Sequence, residues 1–240
     1  MKIIECKQGT SDWFTARLGV ASGSHCADIL GTLKKGGENA ARANYRAKIV
    51  AERLSGMLDV DGFVSPAMMW GTDVEPLARA AYEIKTGNEV DTIGFALHDS
   101  IENMGGSPDG LVGEDGIIEI KCGNTNTHLK WRDAGIVPPE HEPQISFYLA
   151  LTGRKWADFI SYDPRLPERH RIFVVRMERD DARCAEIEDA VRQFNAECDA
   201  MIARLDALNP AIIRPEMPEP EEDPLGLTTA DLDHFFGPEE

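Results

Sequence analysis

The chain has 240 residues, 42% of them hydrophobic and 28% charged, which is ordinary for a globular protein able to bury its own core. No apolar run reaches membrane-spanning length, and the five scattered cysteines form no Cys-x-x-Cys pair, which speaks against a disulfide framework and a zinc or iron–sulfur centre. The net charge of −17 speaks against a nucleic-acid partner, although residues 210–240, with nine acidic side chains and one basic, hold −8 of it.

Met1–Glu5 lacks the apolar stretch of a signal peptide, and a cytoplasmic location with reduced thiols is expected. Between Gln8 and Ser24 the chain carries Trp13, Arg17-Leu18-Gly19 and Ser22-Gly23-Ser24. Ser22 is placed to cap a short helix over 23–30, with Ser24 in its first turn. A helix start presents free amide donors to an anion, serine hydroxyls add more, and Arg17 offers a forked pair to the same anion. Equally, Ser22 only caps its helix and Arg17 pairs at the surface. Residues 32–39 form a polar loop with Lys34 and Lys35 exposed, and Asn39 caps a helix over 40–56. Ser65-Pro66 starts another helix that ends near Gly87 and that Pro76 must kink or divide. If it divides there, Thr72-x-x-Glu75 is a capping box; otherwise Glu75 points into a cleft. The local sequence leaves both readings standing.

A strand over 88–98 leads into the stretch from Ser107 to Cys122, which reads as a β-hairpin turning at Gly113-Glu114-Asp115-Gly116. The period of two puts Glu119 and Lys121 on one face of its second arm and Ile118 and Ile120 on the other. Asp109, on the first arm, is brought by pairing beside Glu119. Two carboxylates on one face repel each other, and a hard divalent cation relieves that directly. Magnesium or manganese suits such oxygens, and Lys121 would stand next to the attacking water. The plainer reading is an exposed hairpin with a same-face Glu119–Lys121 ion pair, worth under about 1 kcal/mol.

After a polar loop, a helical patch over 128–134 stops at Pro138-Pro139. A helix over 140–152 follows, with Gln144 and Tyr148 on one side and Ile145, Leu149 and Ala150 on the other. Gln144 and Tyr148 either face the cleft, where they bind phosphate or water, or are ordinary interface residues. His128, His141 and His170 lack metal-ligand spacing and read as surface or loop histidines. Strands over 156–162 and 171–177 flank a loop with Asp163-Pro164-Arg165. A long helix over 180–208 carries the apolar stripe Cys184, Ile187, Val191, Phe194, Cys198, Ile202 and Leu205. Residues 1–209 read as one domain and 210–240 as an acidic, proline-rich, extended tail.

Pro108-Asp109, nine residues, then Glu119-Ile120-Lys121 resembles the PD-(D/E)xK motif of the restriction-endonuclease-like nuclease superfamily. Within it the chain is similar to the phage lambda exonuclease type, the YqaJ-like viral recombinase family. The likeness runs over about residues 7–205, through Gln8-Gly9, Trp13, Arg17-Leu18-Gly19, Ser22-Gly23-Ser24, Trp70-Gly71 with Glu75, Ser107 to Leu111, Glu119 to Cys122, Gln144 and Tyr162 to Arg165. It implies an α/β fold, a restriction-endonuclease-like core with a central mixed β-sheet flanked by helices. It further implies a 5′→3′ exonuclease that degrades one strand of double-stranded DNA from its ends and leaves 3′ single strands for recombination. Carried over by position, Asp109, Glu119 and the Ile120 carbonyl bind metal, with Glu75 near a second ion and Lys121 at the water. Arg17 and Ser24 hold the 5′-terminal phosphate, with Ser22 beside them, and Ser107, Gln144 and Tyr148 line the site. The family pattern is two Mg2+ per site, a homotrimeric ring in which only the channel needs a positive lining, and a single-strand annealing partner. An endonuclease or nickase of the same fold, or a non-catalytic module that binds DNA ends, are the alternatives.

Overall fold

A computed structural model describes residues 1–32, 36–58 and 65–208. The expected tail of 210–240 and the Lys34–Lys35 pair lie outside the described residues. Contacts gather Met1–Ala203 into one compact unit. Its strands form two four-stranded sheets, each with parallel and antiparallel pairs.

The first sheet is built from very short strands in the order β1 (Lys2–Ile4), β3 (Phe95–Leu97), β4 (Met104–Gly106), β2 (Ala21–Ser22). The strand expected over 88–98 is confined to Phe95–Leu97, preceded by an isolated bridge from Asp91 to Leu111. Gly105 explains part of this economy. A Cβ there would come within 2.7 Å of the Ala96 carbonyl oxygen and of the Phe95 ring.

The second sheet runs β5 (Gly110–Val112), β6 (Gly116–Lys121), β7 (Trp156–Tyr162), β8 (Ile172–Glu178). The β5–β6 pair is the expected hairpin, with Gly110 opposite Ile118 and Gly113 at φ 51° in its turn. One guanidinium nitrogen of Arg154 donates to the carbonyls of Gly113 and Gly116 at 2.7 and 2.8 Å, closing the turn from outside. β7 lies parallel to β6, so residues 122–155 cross over the sheet as two helices, α5 (Thr125–Ala134) and α6 (Glu142–Thr152).

Earlier in the chain lie α1 (Ser11–Arg17), α2 (Cys26–Ile29) and α3 (Ala40–Ser55). The Asn39 side chain caps α3 by accepting the Arg42 amide at 2.9 Å, as expected. α4 (Pro66–Thr86) runs unbroken through Pro76, so no new helix starts there and Thr72-x-x-Glu75 is not a capping box. Its buried face, Val74, Ala78 and Tyr82, packs on Ile118 and Ile120 of β6. That packing holds one helical turn on each side of the proline, which supplies no N–H. A short α7 (Glu168–Arg171) joins β7 to β8, and α8 (Asp181–Leu208) buries Cys184, Ile187, Val191, Phe194 and Cys198.

α6 departs from its expected two-sided pattern. Every residue from Ile145 to Leu151 is buried, because the helix touches β3 and β4 of one sheet and β6 and β7 of the other. A helix walled on both sides has no polar face to show.

Candidate active site

Continuing the β5–β6 register by one residue sets Asp109 opposite Glu119. The half-buried Asp109 carboxylate accepts the Ile120 amide at 2.6 Å. Glu119 is 1% exposed, and both its oxygens are buried without a hydrogen-bond partner. Lys121 Nζ lies 2.6 Å from Glu119 Oε1, close enough for an ion pair but not aligned as a hydrogen bond, and 3.3 Å from Gln144 Oε1. The charges reinforce this picture. Burial, then the neighbouring Glu119 and Glu75, hold the Asp109 carboxyl well above its usual range. Burial also raises Glu119 against the opposing pull of Lys121. For Lys121, burial favours the neutral amine, yet Glu119 and Asp109 outweigh it and keep the ammonium. A buried carboxylate engaged only by one ammonium, beside a second carboxylate and a backbone carbonyl, is a donor set suited to a hard cation.

Glu75 lines the same cleft but is engaged elsewhere. It pairs with Arg79 at 2.6 Å, and the same Arg79 nitrogen donates to the Asp109 carbonyl at 3.1 Å. Among the described residues no group of three or more His, Cys, Asp or Glu side chains is arranged to hold a metal ion. The structure thus brings Asp109, Glu119, Ile120, Lys121 and Gln144 together and leaves Glu75 turned to Arg79. Arg79 is legible in retrospect from its position four residues after Glu75 on one helix. A cleft of about 350 Å³ opens here, lined by Glu75, Ile120, Lys121, Cys122 and Trp131 among others. Burial, then Glu75, pushes the Cys122 thiol up to about 12, so it stays protonated.

Tyr148 lies deeper than the cleft. Its ring fills the space beside Gly23 and Gly106, where an added Cβ would approach it to 2.8 and 2.7 Å. Burial first, then Glu119 and Asp109, raise its hydroxyl far above the usual phenol range. Ser107 is likewise tied inside the protein: it accepts Trp13 Nε1 at 2.9 Å and donates to the Gly94 carbonyl. Through that bond α1 is fastened to the start of the hairpin. Arg17, the last residue of α1, lays its guanidinium 4.3 Å over the Trp13 ring and has no carboxylate partner among the described residues. Ser22 closes β2 rather than capping a helix. Its side chain makes no cap bond to the 3-10 turn Gly23–His25 and lies 3.2 Å from the exposed Ser24 hydroxyl.

The histidines are not all at the surface. His128 is fully buried, with Nε2 2.8 Å from the His170 carbonyl and Nδ1 2.8 Å from Ser161 Oγ. A carbonyl only accepts, so Nε2 carries the proton and Nδ1 accepts from Ser161. His141 stacks on Phe159 at 5.4 Å, and burial, then Lys121, lowers its pKa to about 4.

The loop after Lys121 is anchored by Asp163, which is 0% exposed and holds Thr125 Oγ1 at 2.6 Å and Arg165 Nε at 2.7 Å. Arg165 in turn lies 4.6 Å over the Trp70 ring of α4. Burial pushes the Asp163 carboxyl up, but bonds from Arg165 and Thr125 outweigh it and lower its pKa from 3.8 to about 2. The folded value being the lower one, this anchor contributes in full above 3.8 and is lost as pH falls towards 2. Asp163→Asn is expected to flatten the fall of unfolding free energy in that window, as read by denaturant titration at stepped pH. An unaltered slope would refute it.

Residues 12–155 match the family model described as the YqaJ-like viral recombinase domain. Two crystal structures of LHK-Exo, an alkaline exonuclease from Laribacter hongkongensis, are similar to this chain. One is at 45% identity and the other, in complex with dAMP, at 44%. Both give a TM-score of 0.76 and cover 83% of this chain and 97% of that one. A phage-related exonuclease from Haemophilus somnus 129PT, at 17% identity and a TM-score of 0.57, covers 78% of this chain and 96% of its own and shares the fold. No curated protein matches the sequence.

Proposed function

Because the chain belongs to the family of the YqaJ-like viral recombinase domain, we propose that it is a metal-dependent 5′→3′ exonuclease acting on double-stranded DNA ends. It removes one strand and leaves 3′ single-stranded DNA for recombination. The observation that carries this reading is the buried Glu119 carboxylate, beside Asp109 and engaged only by its ion pair with Lys121.

Asp109, Glu119 and the Ile120 carbonyl would hold the cation, and their oxygens favour Mg2+, with Mn2+ as a substitute. When bound, the cation supplies Lewis-acid polarisation of the phosphoryl oxygen and a lowered pKa for the attacking water. A second ion at Glu75 requires that side chain to leave Arg79. Lys121, held between Glu119 and Gln144, keeps its proton and donates a hydrogen bond from Nζ to the attacking water, fixing its line of approach. Arg17 offers its free donors to the 5′-terminal phosphate, and the Ser22 and Ser24 hydroxyls add to them. Ser107 and Tyr148 serve by packing: one fixes Trp13, the other fills the space beside Gly106.

The family likeness also supports a homotrimeric ring, a single-strand annealing partner and action in the cytoplasm. No helix among the described residues is long and apolar enough to cross a membrane. Light scattering at the mass of a monomer would remove the ring.

The test is a linear duplex with one 5′-phosphate and one 5′-hydroxyl end, incubated with Mg2+. The phosphorylated strand is expected to disappear from its 5′ end. Arg17→Ala is expected to slow that by about 10- to 100-fold, the worth of charge-assisted hydrogen bonds. Covalently closed circles stay intact; cutting them would favour the endonuclease, and end-binding without digestion the non-catalytic module.

A further inference from the structure

Between the Arg17 guanidinium and the Ser22 and Ser24 hydroxyls lies a short segment held with unusual care. Leu18 at φ −57°, ψ 119° and Gly19 at φ +66° make a type II turn, closed by the Val20 amide donating to the Arg17 carbonyl at 3.1 Å. Both polar groups of Gly19 are taken by neighbouring residues of α3. Its N–H donates to Glu52 Oε2 at 3.0 Å, and its carbonyl accepts Arg53 Nε at 2.9 Å. Two turns of α3 earlier, the buried Tyr45 hydroxyl accepts the Ser22 amide at 3.0 Å and donates towards the Val20 carbonyl at 3.4 Å.

The brace is itself braced. Arg53 reaches Asn195 Oδ1 at 2.7 Å and Asp199 at 2.9 Å on α8, and the Tyr45 ring stacks between His25 and Phe194. Glu52 is only 3% exposed. Burying a carboxylate to hold one amide is costly when water would satisfy that amide at an open turn. Burial is the main influence on the Tyr45 hydroxyl, but Glu52 and Arg17 also act on it, with opposite signs. Glu52 and Arg17 thus both lie within electrostatic range of the Tyr45 hydroxyl.

We propose that Glu52 and Tyr45 are positioning residues that set discrimination for 5′-phosphorylated DNA ends, by fixing the turn between Arg17 and the Ser22–Ser24 hydroxyls. The inference rests on the phosphate role given to Arg17 above. A guanidinium fork and two hydroxyls grip one phosphate only at a fixed separation, and a displacement of the order of 1 Å loses the grip.

The experiment measures the ratio of digestion rates from 5′-phosphate and 5′-hydroxyl ends of the same duplex. Glu52→Ala and Tyr45→Phe are each expected to lower that ratio by about tenfold or more. Glu52→Gln keeps an acceptor oxygen for Gly19 and is expected to retain the wild-type ratio. Tyr45→Phe removes one oxygen and keeps the stacked ring, so it carries the test should Glu52→Ala fail to fold. Folded variants that keep the wild-type ratio, or that slow both ends equally, overturn the positioning role. Wild type showing no preference for phosphate overturns the Arg17 reading and this inference with it. A preference lost in Arg17→Ala but kept in Glu52→Ala and Tyr45→Phe overturns this inference alone.

Discussion

Glu119→Gln is expected to abolish Mg2+-dependent digestion, a loss of about a thousandfold or more, since a carboxylate that holds the cation contributes several kcal/mol at the transition state. The same change is expected to remove a second, non-catalytic effect. Wild type should melt at a higher temperature as Mg2+ or Mn2+ is added, by about 2.7 kcal/mol of stabilisation when the ion reaches a hundred times its Kd. Both Glu119 oxygens are buried and engaged only by the ion pair with Lys121, so the amide cannot replace the charge they would present to the cation. Thermal melts with and without the ion, on both proteins, decide the matter. Equal metal-induced shifts in the two would place the cation elsewhere, whatever happened to activity.

Phe159→Ala is expected to cost about 3–5 kcal/mol of stability, the range for emptying a buried aromatic site. That corresponds to about 6–20 °C in Tm for a chain of this size. Phe159 is 0% exposed on β7, directly opposite Glu119 on β6, and its ring stacks on His141 and meets Trp131 edge to face at 5.5 Å. Three rings from three elements thus close one end of the face that carries Glu119. Collapse of His141 and Trp131 into the space would limit the loss. Urea melts giving under about 1 kcal/mol would mean that the site repacks, against the usual behaviour of tight cores.

The hairpin bearing Asp109, Glu119 and Lys121 is legible in the sequence because its signals are local: turn residues at Gly113–Gly116, then β-branched alternation with two charges in phase. α3, α8 and β7 are legible for the same reason, through a cap, a helical stripe and an apolar run. What escapes is what distant partners decide. β2 and β4 contain only Ala21–Ser22 and Met104–Gly106, too short and too glycine-rich for propensity to mark, and they are strands because they pair with each other. The burial of His128 depends on Ser161 and His170, 33 and 42 residues away. α6 looks two-sided until both sheets are in place. Glu75 could be narrowed to a cleft residue or a cap by its neighbours, but its engagement with Arg79, whose same nitrogen also reaches the Asp109 carbonyl, is a tertiary fact.

The wedged position of α6 also governs when the chain becomes competent. The Arg17–Ser24 segment runs through β2 of the first sheet and the Asp109–Lys121 hairpin lies in the second, and α6 reaches both, through Tyr148 against Gly23 and Gly106 and through Gln144 beside Lys121. Such pairings, including the parallel β6–β7 ladder with its crossover, join residues far apart in the chain and carry the entropy of closing long loops. A chain in which α6 is not seated therefore leaves the Arg17–Ser24 segment and the Asp109–Lys121 hairpin without the one helix that both of them touch.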